Sequence, residues 1–162
     1  MKEILDLYKV RGIANYQFGG DTGNLLFPEG VKMKRSRKTG KIKYVLLNER
    51  LLATLRPKDG LFSLTIFGAE KLVSILKKPT ARVVVMEDVK EFVIDGRNVF
   101  SKHVIMADEE VRVGEEVIVT DKDDCVLAVG KALLTGKEML VFKRGIAVKV
   151  RRGLMEEKRC EE

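Results

Sequence analysis

Apolar positions along this chain repeat every second residue in some segments and at helical spacing in others. Tyr44-Val45-Leu46-Leu47 and Leu51-Leu52-Ala53-Thr54-Leu55 are rich in β-formers and flank Asn48-Glu49-Arg50, which predicts a hairpin. Thr39-Gly40 divides a basic arm, Lys32 to Lys38, from a second arm starting at Lys41, and predicts another hairpin. Pro57-Lys58-Asp59-Gly60 reads as a turn, because Pro presets φ and Gly accepts positive φ. Phe62, Leu64 and Ile66 alternate with Ser63 and Thr65, the pattern of a half-buried strand. Ala69, Leu72, Val73 and Leu76 then fall at helical spacing. Lys77-Lys78 suits the negative end of that helix, and Pro79 ends it. A domain boundary is placed there. Residues 2–27 mix short apolar runs with Gly, and Tyr16 to Gly23 predicts a turn or helix boundary.

The second half is β-rich. Val83 to Met86 opens it, and Phe92-Val93-Ile94 precedes an Asp95-Gly96 turn. A short helix is expected over Val99 to Ile105. Val111, Val113, Val117 and Val119 alternate, with Gly114 interrupting them. Val126 to Leu134 reads as a strand whose interior Gly130 marks a bulge or a close backbone approach. Thr135 to Phe142 has room for one helical turn, and Ile146 to Val150 alternates as a last strand. Glu156 to Glu162 is expected to be a charged, frayed tail. The fold class is therefore α+β: a small antiparallel sheet with helices over 1–78, a mostly β domain over 79–153, and a flexible tail over 154–162.

Composition narrows the chemistry. The chain has 162 residues, 45% of them hydrophobic, with no Trp. That supports one large domain or two small ones with a Val/Leu/Ile core. There is no run of about 18 apolar residues and no signal-type N-terminus, so a cytoplasmic protein without membrane contact is expected. Cys125 and Cys160 have neither the spacing nor the number for a zinc site, and are expected to be a small core residue and a tail residue. Net charge is +7, unevenly spread. Residues 1–80 hold 16 Lys and Arg against 7 Asp and Glu, whereas residues 81–162 hold 15 against 17. A cationic module beside a mixed one favours a polyanionic partner.

Two stretches concentrate the positive charge. Seven of the twelve residues from Lys32 to Lys43 are basic, and no acid occurs between Glu29 and Glu49. Like charges crowded on one ribbon repel unless an anion lies between them, and a phosphate backbone is such an anion. Lys131 to Arg152 holds seven more basic residues against the single acid Glu138. Its Gly136 and Gly145 would let a backbone approach a ligand. A solvated ribbon and a Lys-guarded edge strand are the unliganded alternatives for the two stretches. The glycine-rich Gly19 to Gly23 lacks the G-K-[ST] of a phosphate loop. No acid–base pair, nucleophile–base pair or metal cluster is visible.

The segments Gly96-Arg97-Asn98-Val99-Phe100-Ser101-Lys102, Ala107-Asp108, Val113-Gly114-Glu115-Glu116-Val117, Leu127 to Leu134, Gly136 to Met139 and Phe142 to Arg151 resemble the C-terminal PUA domain of the archaeal archaeosine tRNA-guanine transglycosylases. Tyr16 to Gly19, Ser36 to Gly40 and Leu55 to Gly60 resemble the small domain that precedes it. The resemblance covers nearly the whole chain. It implies a PUA-type pseudo-barrel in the second half and a tRNA-binding module without the family's catalytic barrel, aspartates and zinc site. No catalytic residue, metal or cofactor is expected. In the family the PUA domain grips the acceptor end of tRNA, chiefly through its backbone. The expected contacts are Arg35, Arg37 and Lys38 in the first domain. In the second they are Gly96, Arg97, Lys102, Lys131, Lys143, Arg144, Gly145, Lys149 and Arg151. Phe100 either stacks on a base or belongs to the core, and His103 is structural or a surface hydrogen bonder rather than catalytic. The partners implied are tRNA and a separate transglycosylase-like catalytic subunit. Ribosomal or other structured RNA, bound in translation or ribosome assembly, is the alternative.

Overall fold

The computed structural model describes residues 1–161, including every side chain except those of Cys160 and Glu161. Its contacts separate two compact units, the first over Met1–Leu76 and the second opening at Lys77.

In the first unit, helix α1 (Lys2–Phe18) ends where Gly19 turns to φ 90°, and α2 (Thr22–Leu26) follows. The period of 2–27 is not legible as a helix because apolar residues occur on two sides of α1. Val10, Ala14 and Phe18 are buried while Ile4, Leu5 and Tyr8 are exposed. Strands β1 (Lys32–Arg35), β2 (Ile42–Leu47), β3 (Arg50–Leu55) and β4 (Phe62–Leu64) form one antiparallel sheet in chain order. Both expected hairpins are present. Asn48 and Glu49 close the second with φ 51° and 65°, the left-handed pair that matches strand twist. Helix α3 (Ile66–Ile75) starts earlier than the alternation suggested. Ile66 leaves the strand because the Thr65 hydroxyl accepts from the Gly68 N–H at 3.0 Å and so caps a helix there. Gly68 lets α3 approach closely, since a Cβ there would strike the Leu52 carbonyl. The Gln17 amide exchanges hydrogen bonds of 2.9 and 2.7 Å with the backbone of Phe62, fastening the end of α1 to the sheet's edge strand.

The second unit is a six-stranded, nearly closed sheet. It comprises β5 (Arg82–Val85), β6 (Val99–Phe100), β7 (Val104–Ala107), β8 (Glu116–Thr120), β9 (Val126–Ala132) and β10 (Ile146–Gly153), in the order β6-β10-β9-β8-β5-β7. All pairs are antiparallel except β5 with β8. Valines and alanines of β5, β8, β9 and β10 make the core with Leu127 and Met139. Helix α4 (Lys90–Ile94) lies against β9 and β10. The helical turn expected within Thr135–Phe142 is present: α5 (Gly136–Val141) carries a reciprocal cap between Thr135 and Glu138.

Three expectations differ from the structure. Residues 99–105 are not a helix but two short strands, β6 and β7, joined by one 3-10 turn, Ser101–His103. Phe100 pairs with Ile146 of β10, and that sheet pairing overrides the local pattern. Val111 and Val113 lie in a loop, since Gly114 at φ 93° breaks the alternation before β8 begins. The tail is helix α6 (Leu154–Glu161), which contacts β9, β10 and α4 instead of fraying. Glu162 and the side chain of Cys160 lie outside the described residues. Cys125 is exposed in the β8–β9 turn and is no part of the core.

Candidate nucleic-acid interface

The β6 edge and the turn into β10 bring an apolar pocket and free cations together. The pocket, about 210 Å³, is lined by Val89, Phe92, Val93, Val99 and Phe100, with Arg97, Asn98 and His103 as its polar members. Its space equals that of about seven waters at ~30 Å³ each, which suits a single nucleobase. Phe92 and Phe100 remain 53% and 45% exposed, so each offers a ring face or edge to a ligand. Phe100 is thus placed at the surface, with its ring edge-on to His103 at 6.2 Å. The Arg97 guanidinium stands over the Phe92 ring at 5.4 Å. Asn98 anchors this loop by accepting from the Val150 N–H at 3.0 Å.

Beside Phe100, the Phe142–Gly145 segment turns into β10. Lys143 and Arg144 are exposed on it. The Gly145 carbonyl accepts from the Ser101 N–H at 3.0 Å, which holds this turn against β6. Gly145 has φ 101° and open space where a Cβ would stand. Lys102 is exposed in the 3-10 turn next to Phe100. Lys131 and Lys149 sit directly opposite each other on β9 and β10, both exposed. Such a like-charged pair destabilises a sheet unless an anion is shared between them.

Two of the contacts expected in this unit are differently occupied. Arg151 reaches the buried carboxylate of Glu116 with two hydrogen bonds of 2.6 and 2.5 Å, which leaves that guanidinium committed to an internal pair. The space beside Gly96 is filled by the Glu156 carboxylate of α6, where a side chain on residue 96 would collide. Sequence reasoning missed Phe92 as a pocket wall, because an apolar triplet before a turn in a β-rich half does not show that it forms a helix, α4, lining the same pocket as Phe100. It also missed Glu116 as the partner of Arg151, since 35 residues separate them.

In the first unit the β1–β2 ribbon presents Lys34, Arg37, Lys38 and Lys41 as exposed cations. Arg35 stands apart from them. Its guanidinium donates to both Asp6 oxygens at 2.6 Å and to the Gly40 carbonyl at 2.8 Å, so it braces the hairpin turn. Lys32 pairs with Glu49 at 2.7 Å, and the hydrogen bond and charge of each partner raise the lysine pKa and lower the glutamate's.

Asp121 and Asp124, acids of the β8–β9 turn, hold structural hydrogen bonds. Glu87, Asp121 and Asp123 offer oxygens within 4.8 Å of one another. Asp121 already accepts from Lys90 Nζ at 2.8 Å and from the N–H groups of Asp123 and Cys125 at 2.9 and 3.0 Å. Burial pushes its pKa up, but these hydrogen bonds hold it below the ordinary aspartate value. The same hydrogen bond and charge raise the Lys90 pKa. Arg82, fully buried, donates to both Asp124 oxygens at 3.1 and 3.0 Å and to the Thr80 carbonyl at 2.8 Å, tying the same turn to the start of β5.

Comparison with known proteins assigns both units. Residues 8–79 match the patch-forming domain C2 of tRNA-guanine transglycosylase, and residues 81–154 match the PUA domain. The chain is a C2 domain followed by a PUA domain. The tRNA-guanine(15) transglycosylase of Methanothermobacter thermautotrophicus is 43% identical over 148 residues, which is 91% of this chain and 23% of that enzyme. The enzyme of Thermococcus onnurineus is 45% identical over 145 residues, 90% of this chain and 25% of its own length. The chain therefore spans about a quarter of the length of these curated archaeal relatives, in their C-terminal region. A hypothetical protein of Pyrococcus horikoshii shares the fold, with TM-score 0.74, 24% identity and coverage of 92% of this chain and 90% of that one. The pocket, Lys143 and Arg144 all belong to the PUA domain, an RNA-binding domain, and the Arg37–Lys41 ribbon belongs to the C2 domain. Among the described residues no helix is long and apolar enough to cross a membrane.

Proposed function

We propose that this protein is a non-catalytic tRNA-binding module that takes the acceptor end of tRNA on its PUA domain and acts beside a separate tRNA-modifying enzyme. The observation that carries the reading is the juxtaposition of a base-sized apolar pocket with exposed cations on one sheet edge. Phe92 and Phe100 line the pocket, Phe100 pairs with β10, and Lys143, Arg144 and Lys102 flank it. A cationic surface supplies affinity for any phosphate backbone. An aromatic slot adds a requirement for an unstacked base, which a duplex interior does not offer. The single-stranded 3′ end of tRNA beside its acceptor duplex meets both requirements. The Arg37, Lys38 and Lys41 ribbon of the C2 domain adds phosphate contacts of its own, which position the RNA without reading its sequence.

The test is a binding titration with intact tRNA, tRNA trimmed of its unpaired 3′ nucleotides, and a ribosomal RNA hairpin of equal length, at one salt concentration. Intact tRNA is expected to bind at least about fivefold more tightly than either, given ~1–3 kcal/mol per stacked base. Equal affinity for all three would replace the tRNA reading with general binding of structured RNA.

A further inference from the structure

The C2 sheet sorts its side chains into two kinds of row. Met33, Val45, Ala53 and Leu64 lie opposite one another across β1 to β4, and the last three are buried in the core. The adjacent row is Lys34, Tyr44, Thr54 and Ser63, one residue along each strand. Its side chains therefore point to the other side of the sheet. None of these four is buried, and Lys34 is exposed. The helices of this unit pack chiefly on β3 and β4, and Tyr44 of β2 remains partly exposed. β2 carries one extra residue beside it. Lys34 pairs with Tyr44 and Arg35 with Ile42, which leaves Lys43 as a bulge. The Lys43 ammonium lies over the Tyr44 ring, 5.0 Å from its centroid. Glu49 is the only acid between Glu29 and Asp59, and Lys32 takes it up at 2.7 Å. The field around Tyr44 is therefore positive.

We infer that this face of the C2 sheet binds an unpaired nucleotide of the RNA, whose base stacks on Tyr44 while Lys34 and Lys43 meet the phosphates on either side. The inference rests on the proposed reading that this protein binds RNA, and it adds a second stacking site to the one in the PUA pocket. A surface that met phosphates alone would need no aromatic ring among its lysines. A ring between cations is the combination that holds an unpaired strand. In a duplex each base face is covered by its neighbours, so a duplex gains only the phosphate contacts. Lys43 has a flexible four-carbon stem. Its ammonium moves from the ring to a phosphate as the base takes its place, so the two contacts exchange. The Thr54 hydroxyl, directly across from Tyr44, offers a donor and an acceptor beside the ring. Every base has a π face, so this site selects unpaired over paired nucleotides and not one base over another.

The chain contains no Trp, so Tyr44→Trp gives the full-length protein a single indole reporter at the site. The probes are an unpaired RNA of about eight nucleotides and a blunt RNA duplex with the same number of phosphates. The unpaired RNA is expected to quench the indole emission and the duplex to leave it nearly unchanged. In parallel titrations, Tyr44→Ala is expected to lower affinity for the unpaired RNA at least about fivefold, the low end for one stacked base, with little change for the duplex. Tyr44→Phe keeps the ring and is expected to hold the wild-type affinity. Absence of quenching by the unpaired RNA overturns the inference, and this readout stands even where Tyr44→Ala does not fold. An equal loss for both probes also overturns it, by assigning the ring to the fold or to phosphate contacts. Phe100→Ala separates this site from the PUA pocket. Loss with Phe100→Ala and none with Tyr44→Ala refutes the C2 site alone. The reverse pattern refutes the PUA pocket and leaves the C2 site standing.

Discussion

Replacing Lys143 and Arg144 together by alanine gives a change in RNA binding whose size follows from counting free charges. Both side chains are exposed on the turn before β10, held there by the Ser101 N–H to Gly145 carbonyl hydrogen bond, which the substitutions leave intact. Arg151, by contrast, is committed to Glu116 and is not expected to add to the count. If each of the two side chains neutralises one phosphate, the slope of log K against log salt flattens by about 1.4 to 1.8, from 0.7 to 0.9 per contact. The wild-type advantage over the double variant then shrinks roughly 10- to 18-fold between about 0.1 and 0.5 M salt. The assay is a fluorescence anisotropy titration of labelled tRNA at five or so salt concentrations, with Lys122→Ala as a control. Lys122 lies in the β8–β9 turn and is exposed, far along the sheet order from the β6 edge. Parallel salt plots for wild type and double variant would refute the assignment, whatever the affinity at any single salt concentration. A steeper loss at high salt would mean that the substitutions damage packing instead of phosphate contacts.

Phe100→Ala is expected to cost about 1–3 kcal/mol of tRNA affinity with little loss of thermal stability, because a stacking ring that is 45% exposed contributes little to the core; a large drop in Tm with unchanged binding would make it a core residue. Arg82→Met removes a guanidinium that is fully buried between Asp124 and Thr80, and urea unfolding should show a loss of about 3 kcal/mol. Asp121 has a lowered pKa, so its contribution is complete above the ordinary aspartate range and is lost as pH falls through its folded value. Stability should therefore decline below about pH 4, and Asp121→Asn should flatten that acid limb in urea midpoints measured from about pH 3 to 7. Lys90 has the opposite sign, its contribution persisting at neutral pH and fading only in strong alkali. The purified chain is expected to exchange no labelled guanine into tRNA, and incorporation above a no-protein control would overturn the non-catalytic reading.

Much of the fold could be read from local chemistry. Asn48-Glu49, Pro57 to Gly60 and the Thr135–Glu138 cap each act within four residues, so their consequences show in sequence. The elements that were not legible depend on distant partners. α1 has no single polar face, because one apolar side meets its own core and another is exposed. Residues 99–107 become strand through β10 and β5, which are remote in sequence. α6 is highly charged, and it is held through contacts with α4, β9 and β10. For the candidate interface, the sequence located the basic segments but not their internal commitments. Nothing near Arg35 or Arg151 announces Asp6 or Glu116 as a partner. Phe92 became visible as a pocket wall only when α4 placed it beside Phe100.

The two sheets also differ in when they can form. β1 to β4 pair in chain order, each strand with the one just made, so the C2 sheet can zip up as the chain emerges. β5 must wait for β7 and for the parallel pairing with β8 that joins Arg82 to Ile118. At about 5–20 residues per second of synthesis, that interval leaves the β8-facing edge of a hydrophobic strand, Val83-Val84-Val85, unpaired for roughly two to seven seconds. The PUA domain is therefore the slower and more aggregation-exposed half during synthesis, and refolding rates should be limited by its non-local strand pairing.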